Sequence, residues 1–256
     1  MFRFAKELYR KIRSKLPEGL PQQRLDMLRL SFGYRHVLMM PNIGLMKKLW
    51  LIWRFLTVDW NVYHTHRPFM FGIMCRELAS RSAAPGEVVV EAGCFKGGSS
   101  IKFSLMCDLL GYHLHIFDSF EGIPEMSGKE QEMHNYQPGE WKGSYDEVIA
   151  NVRRYGKIDV CEFHKGWFSD TLAKYRFDAL IRLAYADTVD LLSATQDVLD
   201  GVVPQLADDG IVFSDDFHFD EVCDLLNDPA TWQAYGKPKH HVTRHSISFG
   251  QIVFQP

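Results

Sequence analysis

The chain has 256 residues, of which 46% are apolar and 24% charged, so it can bury the core of one α/β domain with extensions. Its 29 basic and 32 acidic residues give a net charge of −3, which provides no broad attraction for nucleic acid, and we expect no nucleic-acid partner. The five cysteines form no Cys-x-x-Cys pair, which argues against a disulfide framework or structural zinc site and favours a reducing, cytoplasmic location.

Residues 1–80 show helical and aromatic patterns and are predicted to form a helical N-terminal extension, with the main domain at 81–256. Phe4, Leu8 and Ile12 recur at helical spacing among basic residues, without an apolar core of signal-peptide length. Such a helix could lie on an anionic membrane, but packing on its own domain or on a second subunit is the favoured interpretation. The apolar stretch after Val37 is too interrupted by charges and proline to span a bilayer.

From residue 85 onward, short β-rich runs alternate with helical patterns. The predicted strands are residues 87–92, 112–118, 158–164, 178–186 and 210–214. The predicted helices lie near 97–110, 144–155 and 192–206, and a two-stranded hairpin is expected within 241–254. This alternation predicts an α/β fold with a mostly parallel, doubly wound sheet, whose ligands bind at the carboxyl ends of the strands.

The first predicted strand runs into the turn Glu91-x-Gly93-x-x-x-Gly97-Gly98, with Ser99 at the start of the following helix, and the second strand ends at Asp118 and Ser119. A glycine turn lets the backbone approach a nucleotide-like ligand, and a carboxylate accepts both ribose hydroxyls. The Gly-x-Gly-x-x-Gly pattern of dinucleotide sites is absent. An acid before the turn suits the amino group of S-adenosylmethionine better than a pyrophosphate.

A long polar connection follows at residues 125–140, without periodicity, and is predicted to form a lid. It contains His134, a candidate general base. His218 and His164 are two further candidates, His218 because it follows a run of acids.

Acidic residues follow the fourth and fifth predicted strands: Asp187 and Asp190 after one, Asp215 and Asp216 after the other. Because neighbouring strand ends open into one crevice, these carboxylates are expected to converge and to suit Mg²⁺, Mn²⁺ or Ca²⁺. Helix capping is the alternative for each acid, and for Asp190 it is at least as well supported. For the adjacent pair Asp215 and Asp216, a functional role is favoured over helix capping, because two neighbouring carboxylates repel each other unless a cation lies between them.

Several segments together resemble the macrocin O-methyltransferase family, or TylF/MycF type. They are the glycine turn and the segments Phe117–Pro124, Arg154–Gly156, Lys165–Leu172 and Ser214–Phe217. The resemblance implies a Rossmann-like class I methyltransferase with an antiparallel C-terminal strand, methyl transfer to oxygen, and dependence on S-adenosylmethionine and Mg²⁺.

The resemblance also implies residue roles. Glu91, Gly93 and Gly97, with Ser99, would border the methionine part of the donor. Asp118 and Ser119 would contact its ribose, and Gly166 and Trp167 its adenine. Asp187 would lie near the donor, and Asp187, Asp215 and Asp216 would be the metal ligands, with Asp215 also a catalytic candidate.

The chain departs from the family pattern after the fourth strand, where Thr188 replaces the first acid of Asp-x-Asp-Leu-Tyr. Asp187 precedes it by one residue and reaches a metal only if the strand ends early or the loop shifts. We therefore predict an S-adenosylmethionine-dependent O-methyltransferase acting on a hydroxyl or carboxyl of a small molecule in specialised metabolism, with the metal an open question. The N-terminal extension is expected to form a lid, part of the acceptor pocket or a homo-oligomer contact. A non-catalytic protein of the same fold and a nicotinamide-dependent oxidoreductase are the alternatives.

Overall fold

The computed structural model describes residues 32–126, 136–189 and 191–255. The predictions for the basic N-terminal helix, for His134 and for Asp190 lie outside these residues, as does most of the predicted lid.

One seven-stranded sheet organises the described chain, in the order β3-β2-β1-β4-β5-β7-β6. Its strands are β1 Val88–Ala92, β2 His113–Asp118, β3 Cys161–Lys165, β4 Ile181–Ala186, β5 Leu206–Ser214, β6 His240–Arg244 and β7 Gly250–Phe254. The first five strands pair in parallel, whereas β7 runs antiparallel to both β5 and β6. The predicted mostly parallel, doubly wound sheet with an antiparallel C-terminal strand is confirmed. The strand order reverses between β1 and β4, the position at which such sheets open a ligand crevice.

Eight α-helices are described. They are α1 Arg35–Leu38, α2 Leu45–Asn61, α3 Pro68–Leu78, α4 Gly98–Leu110, α5 Tyr145–Tyr155, α6 Leu192–Val202, α7 Asp220–Asn227 and α8 Pro229–Ala234. Within the described residues, no helix is long and apolar enough to cross a membrane.

The sheet is covered on both faces, which makes three layers. One face, with Val89, Leu183 and Phe213, shares a hydrophobic core with helices α1 to α5. The other face, with Val90 and Val212, packs against the helices α6 to α8. Alternate residues of a strand point to opposite faces, and the strands are apolar at both sets of positions because both faces are buried.

Four predicted boundaries differ from the structure by three or more residues. Strand β4 begins at Ile181 rather than at 178. Residues 158–160 form a 3-10 turn, so β3 begins at Cys161 rather than at 158. The helix predicted to reach residue 206 ends at Val202, because Pro204 lies in a 3-10 turn that leads into β5. Strand β5 is accordingly longer than predicted and begins at Leu206.

A buried ionic group connects the helices before the sheet to α4. Lys102 of α4 is fully buried, and its Nζ lies 2.6 Å from Oδ1 of Asp59 in α2. The same carboxylate pairs with Nε2 of His64 at 2.9 Å and accepts a hydrogen bond from the Tyr34 hydroxyl at 2.7 Å. Since buried charges are costly unless paired and hydrogen-bonded, this group specifies how α2 docks on α4.

Candidate functional site

A cavity of about 630 Å³ opens at the carboxyl ends of β1, β2, β4 and β5. Its wall includes the glycine turn after β1, the residues that follow β2, β4 and β5, and the connection between α2 and α3. Aromatic side chains form one part of its lining: Phe95, Tyr136, Trp141, Trp167 and Phe168. Five aspartates form another part: Asp118, Asp187, Asp197, Asp215 and Asp216.

Three residues of the glycine turn have left-handed backbone conformations, Gly93, Phe95 and Gly97. Gly93 has φ +91° and donates its N–H to the Phe117 carbonyl at 2.9 Å. A Cβ at this position would overlap the carbonyl oxygen of Asp187, so only glycine lets β1 and β4 end so close together. Gly97 has φ +81° and directly precedes α4. Gly93 lines the cavity, as does Phe95 of the same turn.

Asp118, at the end of β2, closes the turn from the other side. Its two carboxylate oxygens accept hydrogen bonds from the backbone N–H groups of Cys94 at 2.7 Å and Phe120 at 2.6 Å. Burial raises the pKa of Asp118 above its ordinary value, and these two bonds act in the opposite direction. Ser119 and Trp167 line the cavity beside it, and Gly166 directly precedes Trp167. The structure therefore brings together the residues expected at the ribose and adenine.

Glu91 and Ser99 are placed differently, because both are fully buried and neither lines the cavity. Burial is the main reason that the pKa of Glu91 rises to about 8, although the hydroxyls of Ser99 and Ser100 act to lower it. Neither carboxylate oxygen has a hydrogen-bond partner of good geometry among the described groups. The contacts of Glu91 and Ser99 with a methionine moiety stay predictions.

Two of the expected acids meet in the same cavity, with Asp187 directly beside Gly93. Strand β4 ends at Ala186, so Asp187 lies beyond the strand and points into the cavity. Asp215 follows β5, and its Oδ1 accepts a hydrogen bond from the Ser248 hydroxyl at 2.7 Å. Burial is the main reason that the pKa of both carboxyl groups is raised; the charge of Asp118 adds to the rise at Asp187, and the charge of Asp187 adds to the rise at Asp215.

Asp216 is more buried than Asp187 and Asp215 and is hydrogen-bonded to Thr188. It is only 2% exposed, and its Oδ2 accepts hydrogen bonds from the backbone N–H and the hydroxyl of Thr188, each at 2.8 Å. The Thr188 hydroxyl also pairs with the Thr195 hydroxyl at 2.7 Å. The group of converging metal-ligating side chains in the described cavity does not include Asp216. The three-acid ligand set stays a prediction.

The third member of that converging group is His66, which the sequence analysis missed. It lies in the connection between α2 and α3, with Nε2 3.1 Å from Oδ2 of Asp187. Its ring packs against Phe71 and Tyr185, with centroids 5.7 and 5.8 Å away. Burial lowers the pKa of His66 to about 4, so the imidazole is neutral near pH 7. The His-x-His pair at 64 and 66 in an otherwise aromatic region was the only sequence signal.

The histidines proposed from sequence lie elsewhere. His218 is exposed on the cavity wall and stacks edge-on against Phe219. His164 does not line the cavity, since it lies on β3 and stacks face to face on Phe117, with centroids 4.1 Å apart.

Comparison with known proteins places this geometry in a family. Residues 74–242 match the sequence profile of the macrocin-O-methyltransferase (TylF) family. Among solved structures, CalS11, a calicheamicin methyltransferase, is 15% identical with a TM-score of 0.51, covering 93% of this chain and 94% of its own. The SAH-bound methyltransferase PaMTH1 of Podospora anserina is 14% identical with a TM-score of 0.51, covering 94% of this chain and 100% of its own. At such identities these two structures show a shared fold.

Comparison with curated protein sequences finds no significant match. The family profile nevertheless spans more than half of the chain. The chain therefore belongs to the macrocin O-methyltransferase family and is an S-adenosylmethionine-dependent O-methyltransferase.

Proposed function

We propose that this enzyme transfers the methyl group of S-adenosylmethionine to a hydroxyl oxygen of a small molecule bound in the cavity. One observation carries the proposal: a single cavity brings together the glycine turn and Asp118, which we assign to the donor, and the pair Asp187 and Asp215, which we assign to the acceptor. Methyl transfer is an in-line displacement at a sulfonium, so donor and acceptor must meet in one enclosed space.

The donor end is assigned to the turn and to the residues after β2 and β3. Asp118 already accepts two backbone hydrogen bonds, but each carboxylate oxygen has two acceptor sites, so ribose hydroxyls have oxygens to donate to. Gly93 provides the close backbone approach beside it. Trp167 is 37% exposed, and its ring offers a flat apolar surface to the adenine.

The acceptor end favours a hydroxyl over a carboxyl. Five aspartates line the described cavity against one arginine, Arg67, so an anionic acceptor would meet like charge. A hydroxyl instead donates a hydrogen bond to such acids, and the same negative wall favours the cationic sulfonium of the donor. Asp215 is our candidate to take up the hydroxyl proton, with His218 on the wall as the second candidate.

A second part of the proposal concerns a metal ion that would assist the transfer. Of the three acids expected to hold Mg²⁺, Asp187 and Asp215 face each other, whereas Oδ2 of Asp216 is held by Thr188. The converging group leaves out Asp216, and we derive no step through Mg²⁺. A divalent ion bound beside the acceptor would supply Lewis-acid stabilisation of the developing alkoxide.

Calorimetry with S-adenosylmethionine and with NAD tests the donor, and we expect binding of the first alone. Release of S-adenosylhomocysteine is then measured with matched alcohol and carboxylate acceptors, each with and without a chelator. Donor binding followed by turnover only with carboxylates would overturn the hydroxyl assignment. Donor binding without turnover of any acceptor would favour the non-catalytic alternative.

A place in specialised metabolism, a cytoplasmic location and homo-oligomerisation stay predictions. Helix α2 bears several exposed apolar side chains, a feature compatible with self-association: Leu45, Met46, Trp53 and Trp60. The assignment of residues 1–80 to the acceptor pocket has one point in its favour, because Thr65, His66 and Arg67 line the cavity.

A further inference from the structure

The acceptor end of the cavity holds a ligand set of mixed chemistry. His66, Asp187 and Asp215 each offer one ligand atom, and these three atoms all lie within 4.8 Å of one another. They come from three separate parts of the chain: the connection between α2 and α3, the end of β4 and the end of β5.

The spacing suits a bound ion. Nitrogen and oxygen ligands bind a transition-metal ion at about 2.0–2.2 Å, so neighbouring ligand atoms around it are separated by roughly 3–3.5 Å. His66 Nε2 and Asp187 Oδ2 are 3.1 Å apart. In the metal-free protein the Nε2–H donates to Asp187; coordination through Nε2 would place the ring proton on Nδ1.

The three side chains are held in place by their surroundings. The His66 ring packs against both Phe71 and Tyr185, and the Asp215 carboxylate is oriented by the Ser248 hydroxyl. The backbone N–H of Asp187 is bonded to the Ala92 carbonyl at 2.9 Å. All three residues line the cavity, so the remaining coordination positions of an ion would face the acceptor.

We propose that His66, Asp187 and Asp215 form a transition-metal site selective for an ion such as Mn²⁺, Co²⁺ or Zn²⁺ over Mg²⁺. Imidazole nitrogen suits later transition-metal ions such as Zn²⁺, and Mn²⁺ also accepts it, whereas Mg²⁺ prefers oxygen ligands in near-ideal octahedral geometry. Thr188 stands where the family pattern has an acid, and its hydroxyl donates to Oδ2 of Asp216, which the converging group leaves out, so one oxygen ligand is replaced by one nitrogen ligand. The inference rests on the proposed function, because it gives the metal of the same cavity.

A second group of potential ligands serves as the internal comparison. His115, Glu162 and His164 also converge, on β2 and β3. There, the imidazole rings are nearly coplanar, with Nδ1 of His115 3.0 Å from Nε2 of His164 and centroids 5.3 Å apart. The two nitrogens therefore point at each other in an N–H···N hydrogen bond, and their lone pairs do not meet at a common third point.

Metal binding is measured on the full chain after chelator treatment and dialysis. Calorimetry compares Mn²⁺, Zn²⁺ and Mg²⁺, and pulsed electron paramagnetic resonance of the Mn²⁺ complex detects ¹⁴N coupling from a bound imidazole. We expect one Mn²⁺ per chain, ¹⁴N coupling, and weaker binding of Mg²⁺ than of Mn²⁺ by at least about tenfold.

Two variants and one matched control assign the ligands. His66→Phe keeps an aromatic ring against Phe71 and Tyr185. We expect this variant to lose the ¹⁴N coupling and to bind Mn²⁺ more weakly by over roughly 100-fold, because loss of an outer-shell partner alone costs about 10–100-fold in metal affinity. Asp215→Asn should weaken binding while the ¹⁴N coupling persists, which keeps the test valid if His66→Phe fails to fold. His164→Phe, the same substitution in the comparison group, should change neither.

Three results would overturn the inference: equal affinity for Mg²⁺ and Mn²⁺, ¹⁴N coupling that survives His66→Phe but not His164→Phe, or no metal binding at all. S-adenosylmethionine binding is measured on the same samples without metal. If the donor binds and the metal does not, only this inference fails; if the donor does not bind, the proposed function fails.

Discussion

The buried ionic group between α2 and α4 allows a quantitative test of how the helices before the sheet are attached. Lys102 is fully buried, 2.6 Å from the Asp59 carboxylate, and its ammonium also lies 4.8 Å above the centre of the Phe71 ring. Burial by itself raises the pKa of Asp59, but the hydrogen bond from His64 and the charge of Lys102 outweigh it, so the pKa lies below its ordinary value. Lys102→Met keeps most of the length of the unbranched side chain and removes the cation.

The expected cost follows from leaving Asp59 buried without a full countercharge. Removing one partner of a buried ion pair costs about 3–5 kcal/mol of unfolding free energy. For a chain of this size, that corresponds to a fall in Tm of roughly 6–20 °C. Lys174→Met is the matched control, because Lys174 pairs with Asp170 at the surface, where both side chains are about two-thirds exposed. We expect it to cost less than about 1 kcal/mol.

Urea unfolding at pH 7, followed by circular dichroism, measures these differences, and the double variant Asp59→Asn/Lys102→Met completes the cycle. We expect the double variant to be less destabilised than the sum of the two single variants, by about 1–3 kcal/mol. The reasoning is refuted if Lys102→Met costs no more than Lys174→Met, or if the two single effects add.

Three further predictions concern the donor end of the cavity. Gly93→Ala should abolish donor binding in calorimetry, because its Cβ would overlap the Asp187 carbonyl. Gly44→Ala is the control and should leave the affinity for the donor unchanged, because a Cβ there meets nothing within 4 Å. Equal effects of the two substitutions would contradict the close-approach argument. Asp118→Ala should weaken S-adenosylmethionine binding about 10–150-fold through loss of hydrogen bonds to a charged acceptor, and unchanged affinity in calorimetry would exclude the ribose assignment. Glu91 has an ordinary pKa of 4.5 and a folded-state pKa of about 8, so the folded protein retains a proton that the unfolded chain releases between these values. The free energy of unfolding should therefore fall by about 1.4 kcal/mol per pH unit across that window. Glu91→Gln should remove this part of the pH dependence in a series of urea unfolding experiments. An identical pH dependence in both proteins would show that Glu91 is ionised when folded.

Local signals in the sequence predicted the sheet and the donor end of the site. Apolar runs bounded by turn residues placed all five parallel strands, and the alternation near the C-terminus placed the antiparallel pair β6 and β7. The glycine turn and Asp118 were found because their spacing depends only on one βαβ unit. These features need no knowledge of which distant segments meet.

The acceptor end could not be predicted in the same way, because its geometry depends on tertiary contacts. His66 meets Asp187 across 121 residues of sequence, and one isolated histidine carries no periodicity that would reveal its partner. Lys102 lies in the middle of α4, where a lysine in a helical pattern indicates a solvated face; only the structure shows it buried against Asp59. Asp187 depended on where β4 ends, and a boundary shift of one residue decides which way a side chain points.

The same contacts link the two ends of the site. The connection between α2 and α3 carries His64, which pairs with Asp59 beside Lys102, and two residues later His66, which meets Asp187. Gly98, the first residue of α4, permits this approach, because a Cβ there would lie 2.7 Å from the Cβ of His64. Helix α4 also begins at the glycine turn assigned to the donor. The buried ion pair therefore positions an acceptor-side histidine relative to the donor-side helix, and its loss in Lys102→Met should disturb the alignment of donor and acceptor as well as stability.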